Sequence, residues 1–353
     1  MGIILKFEKR EVSNWVSALA PYASIPIAFL VMAIALYLTG YDPLLGFTSF
    51  FHGAFLSQLG LVTSLARSTA FLLMAVGIGL ALNAGVLNIG GEGQYIIGAI
   101  VATAIVIATQ DFLPPLVSLI LALIGSLAAG ALWALVAGVL KAYMGVNEVI
   151  TTIMMNILAF RLLQWVLRGP LKNPLSEAWP MSPPLKPHLL ELVPGTTLNI
   201  GFLLALLVAI LTQFILYKTT IGYKIRITGT NVDAALYGGV NVKNIVILAF
   251  MCSGALCGLA GAVDILGVFH FLYEGISIGL GYTSVVVALV GRSVPVLIIP
   301  ASLMFGCIYN GFTHLQSALG VSYTLSKAIE GVIYLVILVI HLLTEYRVKV
   351  LVR

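Results

Sequence analysis

Charge is what this sequence has least of. Asp, Glu, Lys and Arg together make up 9% of its 353 residues, where a soluble domain carries roughly a quarter. So few charges cannot solvate a surface of this size, which excludes a soluble enzyme, a disordered chain and a nucleic-acid binder despite a net charge of +5. Cysteine is scarce too. Cys252, Cys257 and Cys307 all lie in apolar runs, as packing residues do, and form neither a disulfide framework nor a metal-ligand set. No G-x-x-x-x-G-K-[ST] phosphate loop occurs, so the chain is not expected to hydrolyse ATP. His-Glu-x-x-His and Cys-x-x-Cys are also missing, and the five histidines are dispersed, which leaves a membrane protease or metalloenzyme without a constellation.

What the sequence does have is apolar length: 60% of it is hydrophobic and its mean hydropathy is +1.09. A helix needs about 20 apolar residues to cross a bilayer core. The clearest runs are 22–41, 116–140, 200–217, 245–265 and 329–343; less clean are 68–83, 94–109, 149–167, 282–291 and 294–312. The expected fold is therefore all-α, a polytopic membrane protein of about ten transmembrane helices forming one domain over residues 1–353. The amphipathic stretch 47–65 is placed at the outer surface or in part of an extra span. Mixed charge at Lys6, Glu8, Lys9, Arg10 and Glu11 before a full-length apolar run predicts no cleaved leader.

With ten spans and both termini inside, the inner side holds Lys6, Lys9, Arg10, Lys141, Lys218, Lys224, Arg226, Lys243, Arg292, Arg347, Lys349 and Arg353, which is 12 of 18 cations. The outer side holds Arg67, Arg168, Lys172, Lys186 and Lys327, and Arg161 falls within a span. That bias places both termini in the cytoplasm.

Two extramembrane segments stand out. The external loop 169–199 contains seven of the 14 prolines, so it is no regular helix but an ordered cap, a docking surface or a variable connection. The cytoplasmic loop 218–243 reads KTTIGYKIRITGTNVDAALYGGVNVK. There Thr230 or Asn231 can N-cap a short helix, Asp233 suits its first turn, and Gly238-Gly239 stops it. Such a helix is either a docking peg for a soluble partner or an ordinary interfacial helix.

Two further segments combine glycine with polar side chains at membrane depth, where irregular backbone is tolerated only if protein or a water-filled cavity buries it. One is 83–95, NAGVLNIGGEGQY; the other is 271–282, FLYEGISIGLGY. Five spans separate them, so they face opposite ways, the pattern of an inverted repeat with discontinuous helices along a solute pathway. The candidate pathway residues are Asn83, Asn88, Glu92, Gly93, Gln94, Asn156, Glu274 and Asn310. Asn88 and Gln94 each offer donors and an acceptor to a neutral solute. Glu92 can instead cap a helix and tie down a turn, and Asn156 and Asn310 can be helix–helix glue. A different class of protein, an ion-coupled secondary transporter, would use Glu92, Asp264, Glu274 or Glu330 as ion sites.

The quoted residues also carry a resemblance. LNIGGEGQYIIG at 87–98, NEVITTIMMNILA at 147–159 and GYTSVVVALVGRSVPVLIIPASLMFGCIYNG at 281–311 resemble, in order, three signatures of permease subunits of ATP-binding-cassette importers for nucleosides and simple sugars, the branched-chain amino acid/ribose-type permease family. The resemblance runs from about residue 20 to 345. It implies a second permease subunit, a cytoplasmic ATPase holding ATP and magnesium, a substrate-binding lipoprotein, and no cofactor or metal in this chain. It makes Thr230, Asn231, Asp233, Ala234, Ala235, Leu236, Gly238 and Gly239 the ATPase-coupling helix, with 141–148 a second contact, in a multi-pass protein of the cytoplasmic membrane. Nucleosides fit the form of the first motif best. Glu330 and Arg161 depart from the family pattern.

Overall fold

The computed structural model describes residues 3–9, 24–176, 179–277 and 279–352. Arg10, Glu11, Arg353, the Tyr22 start of the first expected span and Ile278 lie outside the described residues. Thirteen α-helices are present among the described residues. Helix α1 is Ile25–Leu38 and α2 is Pro43–Phe51; α2 starts where Asp42 caps the Leu44 amide at 2.8 Å and Pro43 presets the first turn. A π-turn, His52–Leu56, ends α2. Ser57, in an extended conformation, then caps α3, Gln58–Asn83, through the Gly60 amide. The stretch 47–65 is thus cut in two rather than lying as one surface helix, and α3 begins ten residues before the apolar run at Ser68. Arg67, expected outside, is carried into the bundle as a result.

Next come α4, Gly91–Thr109; α5, Pro115–Met144; and α6, Glu148–Arg168, capped by Asn147. After the 169–200 segment follow α7, Gly201–Lys218; α8, Thr220–Thr230; α9, Val232–Tyr237; and α10, Val242–Asp264, which runs into a second π-turn, Ile265–Phe269. The chain ends with α11, Leu280–Val290; α12, Pro295–Leu319; and α13, Tyr323–Glu345. Strands β1, Ile3–Lys9, and β2, Tyr346–Val352, pair antiparallel from Ile3 opposite Val352 to Lys9 opposite Tyr346. This small ribbon, absent from the sequence expectation, holds both ends of an otherwise all-α chain on one face.

Eight helices, α3 to α7 with α10, α12 and α13, are long and apolar enough to cross a membrane, by length and composition. Helix α1 has 14 described residues and α11 has 11, about 21 and 16 Å, short of the ~30 Å core. Among the described residues the structure therefore has eight such spans where the sequence suggests about ten, α1 and α11 being the two short ones.

Contacts distinguish the two faces. On one, Lys186 N donates to Gln110 Oε1 at 3.0 Å, Ser182 N to Leu272 O at 2.8 Å, and Arg168 pairs with Glu274 at 2.6 Å. The described residues of the 169–199 segment pack as a cap there. Its Leu185 and Leu189 amides bond His270 O and Leu266 O, and both leucines are buried. The His188 and His270 rings meet at 4.0 Å. On the other face, Asn83 Nδ2 donates to Ser293 O at 2.7 Å, Lys141 pairs with Glu148 at 2.7 Å, and Gly229 packs on the Ala84–Gly85 turn.

Helix α3 forms the centre and is buried without interruption from Ser68 to Ala81. Helices α5, α6 and α7 are peripheral, with exposed apolar residues such as Ile124, Ile150 and Phe214. Helices α4, α5 and α10 approach through glycine. A Cβ on Gly98 would overlap the Gly258 carbonyl, and one on Gly130 the Gly254 carbonyl, while Ser126 Oγ donates to Gly98 O at 2.9 Å. Small residues let membrane helices approach until their backbones touch.

Candidate functional site

The two glycine-rich segments meet in the middle of the bundle, having entered from opposite faces. From the Ser293 face, α3 stops at Asn83, whose Nδ2 also bonds back to Gly79 O at 2.8 Å, and Gly85 turns the chain with φ +76. From the other face, the π-turn ends at His270 and the chain descends to Gly279, where φ is +80 and α11 begins.

Glu92, in the first turn of α4, is the tie between them. Its carboxylate accepts from Ser277 Oγ at 2.6 Å, Gly279 N at 2.9 Å and Gly281 N at 2.6 Å, and the side chain is buried. It therefore caps the opposing helix, α11, whose first amides have no intrahelical acceptor and whose dipole favours a negative charge. Gly281 permits this approach, since a Cβ there would collide with the Glu92 backbone.

The other polar groups close the junction. Asn88 and Gln94 exchange amide hydrogen bonds at 2.9 and 3.1 Å, Asn88 also donates to Ser253 Oγ at 2.8 Å, and it accepts from Gly90 N at 2.9 Å. Asn156, on α6, bridges both segments. Its Oδ1 accepts from Gly93 N at 2.8 Å, while Nδ2 donates to Ile89 O at 2.9 Å and Tyr282 Oη at 3.2 Å. Asn88, Glu92, Gln94 and Asn156 are all buried. A buried polar group left unpaired costs about 1–3 kcal/mol, and here the groups satisfy one another. The arrangement is a packed joint between half-helices.

Two residues grouped with these by sequence lie elsewhere. Glu274 is on the cap face with Arg168. Asn310, on α12, braces the α2–α3 elbow, its Nδ2 lying 2.7 Å from Gly53 O, 3.0 Å from Gly60 O and 3.1 Å from Ser64 Oγ. Asn310→Ala is expected to lower the thermal midpoint of detergent-solubilised protein by an amount equivalent to about 1–3 kcal/mol, because two carbonyls lose their donor. Asn310→Asp should be worse, since it turns a carboxylate toward the same carbonyls. An unchanged midpoint for both would show that the elbow holds without this bond.

A second cluster escaped the sequence reading as a unit. Tyr95 Oη donates to Asp264 Oδ2 at 2.7 Å, Arg67 lies 3.7 Å from the same oxygen, and its guanidinium stands 4.8 Å from the Tyr309 ring centroid. Both charges lie inside apolar stretches, and that was the available signal; their pairing required the extended α3. Arg161 bonds Gln164 Oε1 at 3.0 Å on the exposed side of α6, not an acid.

On the face opposite the cap, Asn231 and not Thr230 caps α9, accepting from Ala234 N at 3.1 Å; Thr230 Oγ1 bonds back to Arg226 O within α8. Asp233 stands in the first turn, and Gly238 followed by Gly239, with φ +72, ends the helix. Val232, Leu236 and Tyr237 project from it, the last 94% exposed. Ala235 is fully buried against α8 and α10, so it seats α9 and offers no surface to a partner, a correction to its place among the expected contact residues.

Residues 60–342, which include the whole junction, match the family described as branched-chain amino acid transport system / permease component. The chain is 29% identical to the glucose ABC transporter permease protein TsgB13 of Haloferax volcanii, over 99% of this chain and 95% of the relative. It is 31% identical to the guanosine ABC transporter permease protein NupP of Bacillus subtilis, over 91% and 92%. With the nucleoside ABC transporter permease protein NupB of Lactococcus lactis the figures are 30%, 83% and 83%.

Proposed function

This chain belongs to the family of branched-chain amino acid transport system permease components, and from that premise we propose that it is a membrane subunit of an ATP-binding-cassette importer for nucleosides or related simple sugars. The family match across the junction carries the reading, and the substrates in the names of the relatives supply the solute class. The acids support it against ion coupling. Glu92 caps α11, Asp264 holds Tyr95 and Arg67, Glu274 pairs with Arg168, and Glu330 pairs with Lys327 at 2.8 Å and Tyr334 at 2.7 Å. Carboxylates committed to structural partners are poor sites for loading and releasing an ion.

The α9 face lies in the cytoplasm, and both termini with it, as the distribution of Lys and Arg supports. ATP and magnesium belong to a separate ATPase that docks on α9. Its closure on ATP moves the docked helix, and the bundle rocks between outward-open and inward-open states. A second permease subunit completes the passage, and an external lipoprotein delivers the solute.

Two measurements test this. Vesicles holding the permease pair and ATPase are expected to take up labelled guanosine or glucose only with ATP and the binding protein; uptake by this chain alone on a proton or sodium gradient would overturn the proposal. Leu236→Glu combined with Tyr237→Glu changes only exposed side chains, so the protein should fold while ATPase co-purification drops at least tenfold. Undiminished co-purification would remove α9 from the interface.

A further inference from the structure

The polar groups of the central junction are committed to one another, while a polar concavity of about 300 Å³ opens elsewhere, between the α2–α3 elbow and α12. Its size is at the lower end of small-molecule sites. Its polar lining is Ser57, Thr63, Asn310, Thr313, Ser317 and the His52 and His314 rings, which lie 5.5 Å apart. No charged side chain lines it.

The hydrogen-bond polarity of this wall is specific. Each hydroxyl carries one proton, and each proton is already used. Ser57 Oγ donates to His52 O at 2.9 Å, Thr313 Oγ1 to Tyr309 O at 2.9 Å, Ser317 Oγ to His314 O at 2.9 Å, and Thr63 Oγ1 to Leu59 O. What these hydroxyls still offer is lone pairs. His314 Nδ1 lies 2.9 Å from the Ser49 carbonyl, which can only accept, so Nδ1 carries a hydrogen, and in the tautomer this selects Nε2 is the acceptor. A wall without charged side chains, in which every hydroxyl is left with lone pairs only, suits an uncharged solute rich in donors, which describes the hydroxyls of a sugar.

We infer that this elbow cavity, and not the glycine-rich junction, is where the sugar hydroxyls of the solute are held during passage. The inference rests on the importer reading and names the surface of this chain that the solute crosses. A free sugar and the ribose of a nucleoside share this chemistry. In the reconstituted complex with its ATPase and binding protein, labelled glucose and labelled guanosine separate the two sources. The 2-deoxyglucose and 2′,3′-dideoxyguanosine analogues test whether hydroxyls are read.

The combination Thr63→Val with Thr313→Val keeps side-chain shape and deletes two acceptors. It is expected to lower uptake of the carried probe at least tenfold and to abolish the preference for the hydroxylated form over its deoxy analogue. Thr48→Val serves as control, since that hydroxyl also bonds a carbonyl of its own helix, Leu45 O at 2.9 Å, but lies outside the cavity. A second measurement does not depend on the double variant folding. Ser317→Cys, with the three native cysteines replaced by Ala, should react with a water-soluble thiol reagent and be protected by the carried probe. Wild-type uptake and discrimination in the valine variant, or no protection at position 317, overturns the assignment. A wild-type complex that carries neither probe overturns the importer reading, and the cavity's role with it.

Discussion

Glu92→Ala is expected to lower stability by about 3–5 kcal/mol, the cost of removing a charged acceptor from buried donors. The variant leaves the Ser277 hydroxyl and the Gly279 and Gly281 amides without an acceptor, in a region already buried. A folded domain holds only about 5–15 kcal/mol in total, so most of the variant should be lost as aggregate on solubilisation. Glu92→Gln keeps one accepting oxygen and should fall between the two. Thermal unfolding in detergent, followed by size-exclusion recovery, reads both. A Glu92→Ala protein that unfolds like wild type would deny that this carboxylate holds the junction. Should it also lose uptake, Glu92 would act on the solute instead.

That expectation changes how the acids can be used to separate transport mechanisms. Converting Glu92, Asp264, Glu274 and Glu330 to amides would be a clean test of ion coupling if each projected into water. Glu92 and Asp264 are buried in pairings that join helices, and Glu330 is buried in pairings within α13. Lost transport in such a variant would then report damage to the bundle as readily as a missing ion site. Energy dependence of uptake in the intact complex is the discriminating measurement.

Local chemistry was legible in the sequence because its causes are local. Asn231, Asp233 and Gly238-Gly239 specify α9 within nine residues, and the two segments with glycine and polar side chains mark where α3 and α10 stop. Eight of the expected spans were legible as apolar length, whereas α1 and α11 are, among the described residues, too short to cross unaided. What stayed hidden depends on contacts far along the chain. Glu92 has its partners 185 to 189 residues away, and nothing near it distinguishes capping its own helix from capping another. The start of α3 was misplaced because Ser57 to Arg67 is polar enough to suggest a surface. Burial against α12, with Asn310 holding the elbow, overrides that local signal. The peg's exposure pattern was equally invisible. Ala235 and Leu236 are neighbours on one turn, and only the packing of α8 and α10 decides which of them points inward.

Gly258→Leu is expected to be the most damaging substitution in the chain. At this position α10 lies against two helices at once, and an added Cβ would meet the Ser126 carbonyl oxygen and, at 3.0 Å, the Gly130 Cα. Gly98, on α4, presses on the same residue from the other side. No side-chain rotation relieves a clash with backbone, so three helices would have to separate, and the Ser126 bond to Gly98 O would break as they did. Overpacking of an ordinary core costs about 1–3 kcal/mol because neighbouring side chains give way; here nothing flexible is available, and the expected outcome is no recoverable folded protein. Gly258→Ala grades the effect, and it should be unstable where Gly331→Ala, with no atom near its added Cβ, is neutral. Recovery of monodisperse protein from matched membranes measures all three. A Gly258→Leu variant recovered at wild-type yield would mean that α4, α5 and α10 are not joined through glycine, and the positions of both broken segments, which hang from α4 and α10, would have to be redrawn.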